Sequence, residues 1–413
     1  MDDVALLSNF KTRNLGNLAL TRVVQRLLAT RYGADHLVAL HRLPHPIADV
    51  VTSSPLSGWQ RALERTVGDL GSLPRPDRST FGEREPDLAA IGKEGSAPTG
   101  ARALLGRAAH SGPGVRVRAR LDRDTGREHL GGLDGAADVV WNPGGEINVH
   151  ATPSSRLLDI DFAIARSKRV AMTNFSFEPT PETLAFFTAR AASLHRVIAR
   201  DERTAAALVD LGVDEKDMFL CPDAVFLAGS DTVPELAPTT RQDHRSVLGV
   251  VLHGITSVDT SHFARIIRAA RDAGLAIEIL SSHLTIDGDV IDQVLAVTGD
   301  TGVTVMPEFT DIPRYIAHLS GLHAVVTARF HTAVMGLLAG TTVVGVDTYG
   351  TKVAGGLTTA GFADALADGA DWPEQAIAII ERGEPADPAR LDDARARVLS
   401  TWSEVFPMAD LTR

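Results

Sequence analysis

Short apolar runs alternate with amphipathic stretches along most of the chain, and this alternation constrains the fold more than any other feature. Runs such as Val4–Ser8, Val247–Leu252 and Ala324–Thr327 are rich in aliphatic, often β-branched residues, and segments with apolar residues at helical spacing follow them. Strands that are buried on both faces and connected by helices are typical of parallel sheets. The pattern therefore predicts an α/β architecture built on doubly wound parallel sheets.

The alternation occurs in two series, which predicts two domains. The chain has 413 residues, enough for two domains of about 200 residues each. Residues 230–245 are rich in Pro, Thr and charge and have no periodicity, so they form the predicted linker. We expect an N-terminal α/β domain over residues 1–235 with a loop-rich insertion at 71–135. A C-terminal α/β domain with five strands is expected over 245–370, and C-terminal helices at 371–413 are expected to pack back across the domains.

Charge and cysteine content exclude several classes of partner and site. The formal net charge is −11, which argues against binding nucleic acid or an anionic membrane. The single cysteine, Cys221, excludes an intrachain disulfide and a zinc site built from several cysteines. The 14 histidines have no spacing typical of metal ligands, so no metal is expected.

The beginning of the chain and its apolar runs bear on its location. The N-terminal segment lacks the basic and apolar regions of a signal peptide. No apolar run is long enough to cross a bilayer, so we expect no transmembrane segment and a cytoplasmic protein. The frequent use of Ala, Arg and Gly with few Lys resembles the composition of a high-GC bacterium.

Arg329 and His331 follow directly after the strand predicted at Ala324–Thr327, where a helix is expected to begin. Ligands of open α/β sheets bind at the carboxyl ends of the strands, and helix N-termini favour anions. An arginine can hold a phosphate or carboxylate with two hydrogen bonds, and a histidine can transfer a proton near neutral pH. Lys352 follows the next predicted strand and adds a cation. These residues predict an anion-handling active-site edge.

Two segments in the first half combine glycine with polar side chains after a strand. In Asn14-Leu15-Gly16-Asn17, backbone N–H groups from Asn17 to Ala19 could hold an anion, although an asparagine-capped helix start explains the segment equally well. In the second segment, Gly144 and Gly145 let the backbone approach a ligand, and Glu146 and Asn148 could bind a sugar hydroxyl. A glycine turn with a solvated Glu146 is the alternative.

Arg200 lies at the end of the strand predicted at Arg196–Ala199, and Asp201 is a plausible cap for the next helix. Arg203 falls in the first turn of that helix, where a positive charge opposes the helix dipole unless an anion compensates it. We favour a functional role for Arg200 because of its strand-end position. A surface ion pair is the simpler account of Arg203.

Taken together, these motifs resemble the polysaccharide pyruvyl transferase family. The resemblance is carried by Asn14-Leu15-Gly16-Asn17, Arg200-Asp201-Glu202-Arg203-Thr204, Leu211-Gly212-Val213, Pro222-Asp223, Arg329-Phe330-His331 and Thr351-Lys352. The chain departs from the common family pattern at Asn17, where the family has Asp. The resemblance implies a fold similar to GT-B glycosyltransferases, with two Rossmann-like doubly wound domains facing a cleft. It also implies transfer of an enolpyruvyl group from phosphoenolpyruvate to a saccharide or glycoconjugate in polysaccharide biosynthesis, with phosphoenolpyruvate as co-substrate and no other cofactor.

The resemblance assigns roles to residues on each side of the cleft. On the donor side, Arg200, Arg329, Thr332 and Lys352 would bind phosphoenolpyruvate together with His331, which would act as the acid, and Arg329 would also take part in catalysis. The acceptor would contact the N-terminal domain at Asn14, Asn17, Gly144, Gly145, Glu146 and Asn148. Glu146 or Asp223 would serve as base toward the sugar. Two other functions remain open at this stage: a GT-B-type glycosyltransferase that uses a nucleotide sugar, and a non-catalytic carbohydrate-binding protein.

Overall fold

The first half of the chain forms one parallel sheet in a computed structural model. That model describes residues 3–8, 14–40, 130–145, 147, 154–238, 240, 244–253, 260–281, 284–298, 302–347 and 351–407. The strands are β1 (Val4–Leu7), β2 (Leu37–Leu40), β3 (Asp138–Trp141), β4 (Arg169–Phe175), β5 (Arg196–Ala199) and β6 (Met218–Leu220). They form a six-stranded sheet in the order β2-β1-β3-β4-β5-β6, with all neighbours parallel.

Helices cover this first sheet, and side-chain caps define where several of them begin. They are α1 (Leu15–Tyr32), α2 (Ser154–Ala165), α3 (Pro181–Arg190) and α4 (Glu202–Asp210). Asn14 caps α1, Thr180 caps α3 and Asp201 caps α4, each by accepting hydrogen bonds from backbone N–H groups of the first turn. Helix α1 therefore begins at Leu15, directly after its Asn14 cap.

The second half forms another six-stranded parallel sheet. Its strands are β7 (His244–Val251), β8 (Ala276–Leu280), β9 (Val303–Val305), β10 (Leu322–Thr327), β11 (Thr342–Val346) and β12 (Leu366–Ala367). Their order is β12-β11-β10-β7-β8-β9, and the order reverses between β7 and β10. In the first sheet it reverses between β1 and β3. Ligands of doubly wound sheets bind where the strand order reverses.

The helices of the second half are α5 (Thr260–Asp272), α6 (Leu284–Thr298), α7 (Ile312–Ser320), α8 (Phe330–Ala339), α9 (Lys352–Ala360), α10 (Trp372–Arg382) and α11 (Pro388–Val405). The predicted pair of doubly wound parallel sheets is confirmed, but the prediction of five strands in the second sheet was wrong. Strand β12 contributes two residues and lacks an apolar run that would reveal it. Helix α9 was not expected because its sequence contains two glycines, two threonines and a valine, which are weak helix formers.

Two segments without periodicity are more ordered than the sequence suggests. Residues 130–135, at the end of the predicted insertion, are helical and bury Leu130 and Leu133. The rest of that insertion lies outside the described residues. In the predicted linker, Val233 and Leu236 are buried, and β7 already begins at His244.

The two halves pack against each other, and helix α11 bridges them. Phe226, which follows β6, stacks on Phe362, which follows α9, with ring centroids 5.8 Å apart. At the start of α11, Arg390 donates to Asp364 beside β12. Farther along α11, Arg395 donates to the Phe226 carbonyl at 3.1 Å, and near its end the Glu404 carbonyl accepts from Arg196 of β5 at 2.7 Å. Within the described residues, no helix combines the length and apolarity needed to span a membrane.

Candidate active site

The carboxyl edges of the two sheets meet between the halves of the molecule. Gly16 lies so close to His331 that a Cβ added to the glycine would be 2.4 Å from the histidine Cβ. Similarly, a Cβ added to Gly145 would lie 3.1 Å from Lys352 Nζ. Gly16 follows β1 and Gly145 follows β3, whereas His331 and Lys352 follow β10 and β11. The glycines thus allow side chains of the second half to contact the backbone of the first.

Arg329 occupies the position where the second sheet reverses its strand order. It precedes α8, and its backbone N–H donates to Thr327 Oγ1 at the end of β10. Its guanidinium Nε donates to the Leu252 carbonyl at the end of β7, at 3.2 Å, and a terminal nitrogen is ion-paired with buried Asp287. Ser281 in turn donates to Asp287 at 2.8 Å. The guanidinium is therefore fixed between β7 and β10 by two partners.

Arg200 and His331 come from different halves and meet through Asp223. Arg200 is wholly buried: its Nε donates to Ser176 Oγ at 2.9 Å and its Nη1 to Asp223 Oδ2 at 3.2 Å. Its Nη2 has no hydrogen-bond partner among the described residues. The guanidinium also lies 4.6 Å from the Phe330 ring centroid, a distance typical of a cation–π contact. His331 Nε2 lies 3.5 Å from the same Asp223 oxygen, in electrostatic contact rather than in a hydrogen bond.

Burial and nearby charges act in opposite directions on the pKa values of Asp223 and His331. Burial raises the pKa of Asp223, but the His331 ring, Arg200 and the Val225 N–H together outweigh it and leave the pKa below its ordinary value. Burial is also the largest influence on His331, and with Arg200 and Lys352 it lowers the histidine pKa despite the opposing effect of Asp223. The unliganded site therefore favours an ionised Asp223 beside a neutral imidazole.

A bulge in β4 holds the segment that carries Asp223. Asn174 has a positive φ of 55°, and the register of β4 against β5 shifts between Thr173 and Phe175. The buried Asn174 side chain accepts a hydrogen bond from the Ala224 N–H at 3.0 Å. Strained backbone at a site persists when surrounding contacts fix it. Asn174 thus positions the residue next to Asp223.

Lys352 stands at the first position of α9. The carboxylate of Asp347 accepts from the Val353 and Ala354 N–H groups at 2.8 and 2.9 Å, so it caps this helix. Burial, together with the positive charges of Arg200 and Arg329, lowers the pKa of Lys352 to about 8, although Glu178 and Asp223 oppose this shift. Burial raises the pKa of Asp347 to about 6, and Glu178 adds to that increase.

Several predicted site residues have partners that the sequence did not reveal. The Asn14 side chain accepts from the N–H groups of Gly16 and Asn17, and the Asn14 carbonyl accepts from Leu18. The expectation that the N–H groups of Asn17 and Leu18 are available to an anion was therefore wrong, because the helix cap uses them. The Thr332 hydroxyl lies 3.3 Å from the Tyr315 hydroxyl.

The predicted acceptor side is only partly described. Gly144 has a φ of +56°, and a Cβ there would lie 3.3 Å from Asn17 Oδ1, so these two residues adjoin each other beside Gly145. Glu146 lies outside the described residues, as does Asn148.

Sequence reasoning missed four polar residues of the site: Asn174, Ser176, Glu178 and Asp287. Three of them lie in or just after β4, so the rule that functional side chains follow strands would have found Ser176 and Glu178. Asp287 lies within α6 and reaches Arg329 only through the tertiary fold. In the part of the chain that the structure describes, no three His, Cys, Asp or Glu side chains form a group suited to a metal ion.

Solved structures show where this fold occurs elsewhere. The chain is similar to a putative UDP-N-acetylglucosamine 2-epimerase from Listeria monocytogenes at 13% identity, with a TM-score of 0.54 and coverage of 99% of this chain and 98% of that one. A UDP-N-acetylglucosamine 2-epimerase from Rickettsia bellii gives 12% identity, a TM-score of 0.51 and coverage of 98% of both chains. At such low identity the likeness establishes the two-domain GT-B fold alone. No curated protein matches the chain significantly.

A family model identifies the chain. The model for polysaccharide pyruvyl transferase matches residues 14–349, well over half of the sequence. The match begins at the Asn14 cap and extends past Arg329 and His331, so it includes both facing sheet edges. The resemblance seen in the sequence motifs is thereby confirmed, and the chain belongs to the polysaccharide pyruvyl transferase family.

Proposed function

We propose that the protein transfers an enolpyruvyl group from phosphoenolpyruvate to a saccharide or glycoconjugate and closes it to a pyruvate ketal. The observation that carries this proposal is the cluster of cations at the interdomain edge: Arg200 and Lys352 act electrostatically on His331, and Arg329 acts on Lys352. Family membership supports it, because the family is one of transferases that act on polysaccharides.

The charge of the site suits a small donor with several negative charges. Phosphoenolpyruvate carries a phosphate and a carboxylate on a three-carbon frame, so its binding requires cations close together. Burial is the main cause of the pKa of about 8 at Lys352, and Arg200 and Arg329 add to the shift because both disfavour a third positive charge there. A bound anion would relieve that repulsion. The Nη2 group of Arg200, which has no hydrogen-bond partner among the described residues, offers one donor for it.

His331 is the proposed acid. Protonation of the donor at its methylene carbon makes the neighbouring carbon electrophilic, and a sugar hydroxyl then attacks that carbon. A second hydroxyl of the same acceptor displaces phosphate and closes the ketal ring. Asp223, 3.5 Å from His331 Nε2, favours the protonated ring electrostatically. An anionic donor beside the His331 ring would also favour its protonated form.

The acceptor is assigned to the edge of the first sheet. Gly144 and Gly145 place their backbone beside Asn17, and Lys352 Nζ adjoins this backbone from the other half of the molecule. This arrangement would bring an acceptor hydroxyl next to the donor cations.

A direct assay tests the proposal. The protein is incubated with phosphoenolpyruvate and a panel of galactosides, mannosides and glucosides, and phosphate release and product mass are measured. We expect phosphate release that depends on one class of acceptor, with a product that carries a pyruvate ketal. The variant His331→Ala should remain folded and lose turnover. Binding of UDP or GDP in preference to phosphoenolpyruvate would contradict the proposal and favour a nucleotide-sugar glycosyltransferase.

A further inference from the structure

Ketal formation requires a group that takes the proton of the attacking hydroxyl, and two carboxylates of the site are poorly placed for this task. Asp223 is wholly buried: one oxygen accepts from the Val225 N–H at 2.9 Å, and the other faces Arg200 and His331. Both oxygens of Asp347 cap helix α9. Neither carboxylate can turn toward an acceptor without breaking these contacts.

Glu178 lies on a segment that is fixed on both sides. Two residues before it, Ser176 accepts a hydrogen bond from Arg200. The backbone N–H of Phe177 donates to Thr204 Oγ1 at 2.8 Å, and Thr180 caps α3 through the Thr183 N–H. The backbone around Glu178 is therefore anchored at the carboxyl edge of the first sheet.

The carboxylate of Glu178 combines partial exposure with an unused acceptor atom. The residue is partly exposed, but its Oε1 is buried and has no hydrogen-bond partner among the described residues. A carboxylate oxygen accepts hydrogen bonds only, and a buried one without a donor is costly. A ligand hydroxyl would supply the missing donor.

The charges that face Glu178 come from the other half of the molecule. Its carboxylate acts electrostatically on Lys352 and on Asp347. Lys352 Nζ in turn adjoins Gly145 on the first sheet. Glu178 is thus within electrostatic range of the cation that adjoins the proposed acceptor edge.

We propose that Glu178 is the general base that accepts the proton of the attacking acceptor hydroxyl; this inference rests on the proposed function. As the hydroxyl O–H bond breaks, its electron pair forms the new bond to the central donor carbon, and the proton moves to the carboxylate. The π electrons of the donor take the proton that His331 delivers to the methylene carbon. When the second hydroxyl adds, phosphate leaves with the electron pair of its carbon–oxygen bond. Glu178 releases the proton of the first hydroxyl to solvent, from which His331 is reprotonated, and the proton of the second hydroxyl leaves with phosphate.

Glu178→Gln tests the assignment because the amide keeps the size of the side chain and cannot take up the proton. We expect kcat to fall by about 100-fold, with phosphoenolpyruvate affinity in calorimetry unchanged. Glu182→Gln is the matched control, since Glu182 is exposed in the first turn of α3 and should leave turnover at the wild-type level.

Chemical rescue separates a missing base from a disturbed structure. In Glu178→Ala, added formate should raise turnover by about tenfold, because the small carboxylate can replace the lost group. The inference is overturned if Glu178→Gln stays within about threefold of wild type, if the variant loses donor binding along with turnover, or if formate has no effect. Failure of the wild-type protein to form any ketal would overturn the proposed function itself, whatever the variants do.

Discussion

Gly16 and His331 are in direct contact across the two halves of the molecule, with the glycine Cα at the first turn of α1 and the imidazole at the first turn of α8. A Cβ at Gly16 would lie 2.4 Å from His331 Cβ and 2.5 Å from Nδ1. The position of the proposed acid therefore depends on a residue without a side chain in the opposite domain.

Gly16→Ala should displace His331 and lower kcat by at least about tenfold, because a contact this short forces one partner to move. The expected loss of stability is about 1–3 kcal/mol, measured by urea unfolding. Gly288→Ala is the control: Gly288 lies in α6 with nothing within 4 Å of its added Cβ. It should keep full activity and gain up to about 1 kcal/mol of stability. Wild-type turnover in Gly16→Ala would show that the contact is not needed.

Arg329→Lys should weaken phosphoenolpyruvate binding by about tenfold or more. An ammonium group cannot reproduce the planar guanidinium that contacts both Leu252 and Asp287 and still presents further N–H groups to a ligand. Calorimetric titration with phosphoenolpyruvate measures the effect. Arg268→Lys, on the exposed face of α5, provides the control. Equal donor affinity in wild type and Arg329→Lys would count against a donor role.

Donor binding should take up a proton near pH 8. The pKa of Lys352 is about 8 before binding, so about half of the molecules then carry a neutral amine at this pH. A bound anion raises that pKa, so the complex binds up to about half a proton more than the unliganded protein. At pH 6.5 the amine is already protonated and contributes no uptake.

Calorimetry in two buffers with different ionisation enthalpies measures this uptake. Lys352→Met should abolish it, whereas Lys216→Met, at an exposed lysine paired with Asp214, should not. A binding enthalpy at pH 8 that is independent of the buffer would refute the prediction.

Asp223→Asn should destabilise the fold by about 3 kcal/mol, because it leaves Arg200 buried without its anionic partner. The amide retains an oxygen for the Val225 N–H, so the loss reports on the charge pair. Addition of Arg200→Met should restore part of the stability, since it removes the uncompensated charge. Unfolding free energies of the four proteins of this double-mutant cycle test the coupling, and strictly additive losses would contradict it.

Local sequence patterns predicted the two parallel sheets and the basic side chains at their carboxyl ends. The strands that support the site, β10 and β11 among them, are β-branched and buried, so their carboxyl ends could be located together with Arg329, His331 and Lys352. The partners of these cations could not be located in the same way. Asp287 and Asp223 reach them through contacts between residues far apart in sequence, which periodicity does not encode. The cap formed by Asn14 was weighed correctly as an alternative, and it is the observed structure.

Helix α11 has a mechanical consequence for the alignment of the two domains. The chain crosses from the first domain to the second before β7, and α11 carries it back, from Arg390 beside β12 to Glu404 beside β5. Two domains that are connected by one segment of backbone can rotate relative to each other about many axes. A second covalent connection restricts this rotation. Helix α11 therefore ties the second domain to the first at β5 as well as through the chain before β7, and this second connection helps to hold Gly16 against His331.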